Sequence, residues 1–408
     1  MRKSELPNSK FNWLRVKEFI ELNLTRVTNR KYYIPEVDGL RFIAIFPVVM
    51  LHLSTWIRKS STVEYAVPPL DDWLGYLTYK GAFGVQLFFV LSGFILGLPF
   101  ARQRLLGGRK VKLSLFYKRR LLRLEPPYII VMLGAFVAQV VVMGKSADEL
   151  LKPLGLSLVY MHTWVTGHWS ELNPVAWSLE VEVIFYLVAP LLAFLFFWRG
   201  NTLLRRTIFL LAIVLLCYLF VTFFPEIKAK GLHKTILTEM QYFLAGFLVA
   251  DFFVNDKNGF FKKKSIAWDV IFLICMVGIH ANSLYGNLYF YLFPFYLILI
   301  FFAGFKGVML NWLMRKKVIT IIGGMCYTIY LLHYPLLAFM SEFIKDIHVT
   351  DYYWVNLLVI AAIELPILML VSSIFFMLIE RPCMKSDWPQ QLVAFFRKRV
   401  FRIQQSQS

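Results

Sequence analysis

Ten stretches of this 408-residue chain are apolar over roughly the length that crosses a bilayer, and that repetition limits its fold more than any other feature. They lie near 39–57, 81–100, 126–144, 176–197, 207–224, 236–254, 267–280, 288–305, 318–341 and 354–379. Hydrocarbon offers no water to backbone N–H and C=O groups, so spanning segments fold as helices or as closed barrels. Continuous apolarity, rather than strict alternation, selects helices. The expectation is an all-α polytopic membrane protein with about ten transmembrane helices. A hydrophobic content of 58% with a mean hydropathy of +0.60 excludes a soluble domain of this length.

The formal net charge of +19 would suggest nucleic acid in a soluble protein. Here its distribution points to topology instead. Segments 1–38, 101–124, 198–206, 255–266, 306–317 and 380–408 hold 34 of the 44 Lys and Arg residues, and the alternate loops hold nine. Basic residues collect on the cytoplasmic side of membrane proteins, so both termini are expected there. The chain divides into a cytoplasmic tail (1–37), a ten-span membrane domain (38–382) and a basic cytoplasmic tail (383–408). An amphipathic helix is expected around Phe11–Leu24. No cleavable signal pattern precedes the first span, no soluble domain remains, and no internal repeat supports an inverted-repeat transporter. The four cysteines are scattered, offering neither a disulfide framework nor metal spacing, and no metal or nucleic acid partner is expected.

Ionisable groups inside spans are costly and usually functional. The first span carries Asp38, Arg41 and His52 on one helical stripe, with Arg41 and His52 about 16 Å apart along the axis. Individually, Asp38 can cap the helix, Arg41 can snorkel to the interface and His52 can be a packing hydrogen bond. Together they suggest chemistry, with His52 as general base because an unperturbed imidazole titrates near 6.5. Arg119, Arg120 and Arg123 either anchor the cytoplasmic side or clamp phosphate, to which guanidinium forks are matched. The fourth span opens with Trp177-Ser178-Leu179-Glu180-Val181-Glu182. Glu182 is expected at the depth of His52 and able to orient it, or else to sit in a structural pair. Glu180 points roughly 200° away, and which carboxylate is used stays open. Tyr330 and His333 share a face of the ninth span, as substrate-positioning groups or as packing hydrogen bonds. The Gly93/Gly97 pair indicates close helix packing. His162 and His168 lie in an aromatic loop without metal-ligand companions.

These segments resemble the membrane acyltransferase family 3, the bacterial acyl-CoA-dependent O-acyltransferases. The matching pieces run in order over about residues 34–382: Asp38-Gly39-Leu40-Arg41 with His52, Phe88-Phe89-Val90-Leu91-Ser92-Gly93-Phe94, and Arg119-Arg120-x-x-Arg123. Trp177-Ser178-Leu179-x-Val181-Glu182-x-x-Phe185-Tyr186, Tyr330-Leu331-x-His333 and Glu380-Arg381-Pro382 complete the set. The resemblance implies transfer of an acyl group, commonly acetyl from acetyl-CoA, to a hydroxyl of a cell-surface or lipid-linked carbohydrate. Acyl-CoA is then a co-substrate, no cofactor stays bound, and the location is a bacterial inner membrane.

On that reading Arg119, Arg120 and Arg123 hold the CoA phosphates and Arg41, beside Asp38, guards the mouth of a tunnel. His52 deprotonates the acceptor or carries the acyl group, Glu182 holds its tautomer, and His333, Tyr330, Trp177 and Ser178 position the acceptor. The competing class is a transporter or flippase for a glycan or other polar substrate, which also needs buried Arg, His and Glu.

Overall fold

The computed structural model describes residues 13–28, 33–62, 64–198, 200–223, 234–281, 288–385 and 387–391. Every regular element among them is helical. In chain order these are α1 (Trp13–Asn23), α2 (Pro35–Ser60), α3 (Trp73–Tyr79), α4 (Phe83–Leu106), α5 (Leu113–Val141), α6 (Ala147–Leu158), α7 (His162–Thr166) and α8 (Trp177–Phe196). There follow α9 (Thr202–Phe223), α10 (Ile236–Val254), α11 (Ala267–His280), α12 (Leu288–Lys306), α13 (Met309–Met314), α14 (Lys317–Gly324), α15 (Cys326–Ile344) and α16 (Tyr353–Phe375). A π-helical turn, Phe376–Glu380, ends the last long helix.

Seven helical stretches among the described residues are long and apolar enough to cross a membrane, and α14 with α15, bent by 69°, makes an eighth. The other two expected spans fall on α11 and on α12, which has 19 residues. Ala267–His280 has 14 residues, about 21 Å, against some 30 Å of hydrocarbon. The basic segment 101–124 is not one loop either: α5 begins at Leu113, so Arg119, Arg120 and Arg123 sit on the first turns of a spanning helix. The expected N-terminal helix is present as α1, and the end of the C-terminal tail lies outside the described residues. Arg381 donates to the Leu22 and Thr25 carbonyls, which ties α1 to the end of the last span on the face where α2 begins.

Two devices lock the bundle. The first is backbone contact between α4 and α10. A Cβ at Gly93 would run into the Phe243 carbonyl, and one at Gly246 into the Val90 carbonyl, so each helix lends a glycine to the other. The second uses proline. Pro335 cannot donate to the Leu331 carbonyl and Pro126 cannot donate to that of Leu122. Asn173 Nδ2 reaches Leu331 O at 3.0 Å and Trp388 Nε1 reaches Leu122 O at 3.0 Å, so each orphaned acceptor becomes a docking point for a distant segment. Gly246→Ala should lower stability by about 1–3 kcal/mol through overpacking. Gly134→Ala, where nothing lies within 4 Å of the added methyl, should not lower it; thermal unfolding in lipid nanodiscs compares the two.

Candidate active site

Two clusters of polar groups lie along α2. At its first turn Asp38, 2% exposed, accepts through Oδ1 from both Arg26 Nη1 and Arg41 Nη1 at 2.7 Å. Arg41 is there because three residues is nearly one helical turn. Arg26 comes from the segment after α1, a partner nothing in the local pattern announces. Beside this triad Arg123 Nη2 lies 3.7 Å from Glu380 Oε1. Glu380, fully buried, also accepts from Thr328 N and Oγ1 at the start of α15. The Nε groups of Arg26 and Arg123 are buried without a hydrogen-bond partner. Guanidinium thus outnumbers carboxylate here, and its spare donors suit an anion.

The three arginines of α5 do not act as a unit. Arg123 turns to Glu380. Arg120 folds over the Phe116 ring at 3.6 Å and donates to the Phe116 carbonyl, while Arg119 is exposed. Consecutive residues of a helix lie about 100° apart around its axis, and here Arg119 and Arg120 take different directions.

His52 lies about 16 Å along α2 from Arg41. Its ring sits 5.2 Å from that of His333 and 5.1 Å from that of Tyr334, which also packs edge-on against Trp56, one turn further along α2. His333 is fully buried, and its Nδ1 lies 2.7 Å from the Tyr330 carbonyl. A carbonyl only accepts, so Nδ1 carries the hydrogen and Nε2 keeps the lone pair. That Nε2 has no partner. The Tyr330 hydroxyl pairs with Ser178 Oγ at 2.6 Å and donates to Val175 O at 2.8 Å, which fixes the entry of α8 against α15. Trp177, next to Ser178, packs edge-on against Phe89.

Glu182 has Ser92, not His52, as its hydrogen-bond partner. It accepts from Ser92 Oγ of α4, with the Tyr186 hydroxyl in reach and Arg120 and Arg123 as the nearby cations. The cause is packing: α8 lies on α4, so this carboxylate meets Ser92 before it can meet α2. Glu182 therefore stands between the arginine level and the histidine level. Glu180 accepts from Thr163 N at the start of α7 through Oε2, and its Oε1 is buried without a hydrogen-bond partner. His162, on α7, has its imidazole held below the ordinary range by burial, and it bonds within its own loop.

Fold and site together define a multi-pass helical membrane protein with an arginine-rich level and a histidine pair buried in one bundle. Residues 34–403 match the acyltransferase domain of acyltransferase family 3, and the chain belongs to that family. It is 23% identical over 381 residues to the O-acetyltransferase OatA of Staphylococcus aureus, covering 87% of this chain. It is 24% identical over 402 residues to the peptidoglycan O-acetyltransferase OatA of Listeria monocytogenes, covering 90%. The matches cover 58% of the length of either relative. No solved structure matches the chain.

Replacing Asp38 by Asn leaves two guanidinium groups facing each other without their carboxylate. The expected cost is about 3 kcal/mol, read as a lower unfolding midpoint, with Arg41→Lys far milder.

Proposed function

We propose that the chain is a membrane O-acetyltransferase that moves acetyl from acetyl-CoA to a hydroxyl of a cell-envelope carbohydrate. The observation that carries this is the pairing of two unlike sites at opposite levels of α2. One holds unpartnered buried guanidinium donors, Arg26 Nε and Arg123 Nε; the other holds a histidine pair with a free buried lone pair. A donor that is polyanionic at one end and reactive at the other, with a long arm between, fits that separation. Glu182, Ser92 and Tyr186 line the interval. The basic excess of the segments on the arginine side supports a cytoplasmic donor entrance, cytoplasmic termini and residence in the inner membrane.

In this mechanism the CoA phosphates rest against Arg26, Arg41 and Arg123, with Asp38 and Glu380 holding those side chains in place. Arg120 lies deeper, near Glu182. The acceptor hydroxyl enters from the opposite face. His52 removes its proton as the oxygen attacks the thioester carbonyl, the C–S bond breaks, and the CoA sulfur takes the proton back from His52. His333 orients the reacting groups in the role first expected of Glu182, since its tautomer is fixed by Tyr330 and its Nε2 can only accept. Tyr330, Ser178 and Trp177 shape the acceptor end.

General-base catalysis contributes about 10²–10⁴ in rate, so His52→Ala should lower acetyl transfer by that factor. Arg123→Ala should raise KM for acetyl-CoA about tenfold or more, since hydrogen bonds to charged groups are worth roughly 1.5–3 kcal/mol. Labelled acetyl transfer from acetyl-CoA to muramidase-released peptidoglycan fragments, with protein in nanodiscs, measures both. A wild type that releases no CoA with any acceptor, yet carries glycan across a vesicle membrane, supports transport instead.

A further inference from the structure

Beyond the histidine pair, on the side away from the arginines, lies a second charged arrangement that the sequence motifs do not include. Lys234 precedes α10, and its Nζ sits between two indoles, 4.8 Å from the Trp169 ring centroid and 4.6 Å from that of Trp177. Glu239, in the first turn of α10, is 6% exposed. The Gln86 side chain reaches one side of its carboxylate, while Oε2 is buried with no hydrogen-bond partner. Lys234 and Glu239 feel each other's charge but form no direct ion pair. Burial holds the Lys234 ammonium below the ordinary lysine range, and Glu239 works against that.

Burying two opposite charges without joining them is expensive, because neither recovers its lost hydration from the other. The indole faces compensate Lys234 in part. Nothing compensates Glu239 Oε2. The arrangement is also continuous with the reacting groups. Trp177 adjoins Ser178, Ser178 bonds Tyr330, the Tyr330 ring lies 5.5 Å from that of His333, and Lys234 is within electrostatic reach of His52. Trp169, 46% exposed, marks the open edge.

We propose that Glu239 and Lys234 are the acceptor-binding pair: Glu239 Oε2 accepts a hydrogen bond from one hydroxyl of a carbohydrate, and Lys234 donates to a neighbouring oxygen of the same sugar. A sugar carries donors and acceptors on adjacent carbons, which is what separated carboxylate and ammonium groups require. The pair acts by positioning, selecting which hydroxyl is presented to His52. This inference rests on the acetyl-transfer reading for its reaction, but not for its binding step.

The test uses the full chain in nanodiscs and muramidase-released peptidoglycan fragments as the probe, with malto-oligosaccharides as the second. Equilibrium binding and labelled acetyl transfer are measured for wild type, Glu239→Gln, Glu239→Asp and Lys234→Met. The expected result is a tenfold or greater rise in acceptor KM and Kd for Glu239→Gln and Lys234→Met. KM for acetyl-CoA moves by less than twofold, and Glu239→Asp recovers part of the loss. Unchanged acceptor KM and Kd in both variants overturn the pair while leaving acetyl transfer standing. Glycan binding that is lost in the variants, with no acetyl transfer by the wild type, upholds the pair and removes the acetyl-transfer reading. A wild type that neither binds nor acetylates either probe overturns both.

Discussion

A carboxylate that accepts from two guanidinium groups remains surrounded by net positive charge, and the depth of the bundle makes that charge costly. Asp38 is in this position, and so are the residues around it. Arg26, Arg41 and Arg123 approach two carboxylates, those of Asp38 and Glu380, so the balance is never closed by the protein alone. Low dielectric strengthens each of these contacts and equally strengthens the pull on an anion. The cluster also joins four segments, the linker after α1 and helices α2, α5 and the turn after α16. The cluster whose spare guanidinium donors suit an anion is therefore also the one that ties these four segments together.

The opposite end follows a different rule. There the groups are two imidazoles, two hydroxyls in a short chain, and one buried carboxylate held apart from its lysine. His333 illustrates how backbone decides chemistry. Pro335, two residues on, frees the Leu331 carbonyl for Asn173, and the Tyr330 carbonyl takes the His333 hydrogen, so the imidazole has one fixed tautomer. A side chain held in one orientation before the reaction loses nothing to reorganisation during it.

Much of this was legible in the sequence because it is local. Apolar runs, the period that stacks Asp38 under Arg41 and His52, and the Gly93/Gly97 pair are properties of single helices. What was not legible is pairing across the chain. Arg26 reaches Asp38 from a segment with no pattern of its own. Glu182 was expected beside His52 because depth was readable and azimuth was not; α4 intervenes and supplies Ser92. Glu180 likewise meets a distant segment, through Thr163 N. Lys234 and Glu239 carry no motif at all, although a lysine and a glutamate flanking the start of a span are a signal of cost that could have been weighed.

The proposed reaction requires a donor held at one level of α2 and an acceptor held at the other, meeting without either crossing the membrane. Proteoliposomes of uniform orientation test this directly, with glycan fragments trapped inside and acetyl-CoA outside, labelled separately in its acetyl and adenine groups. With the arginine level facing outward, the acetyl label should appear on the trapped glycan while the adenine label stays outside, and His52→Ala should abolish the transfer. Adenine label inside the vesicles, or transfer only when both substrates share one compartment, would contradict it.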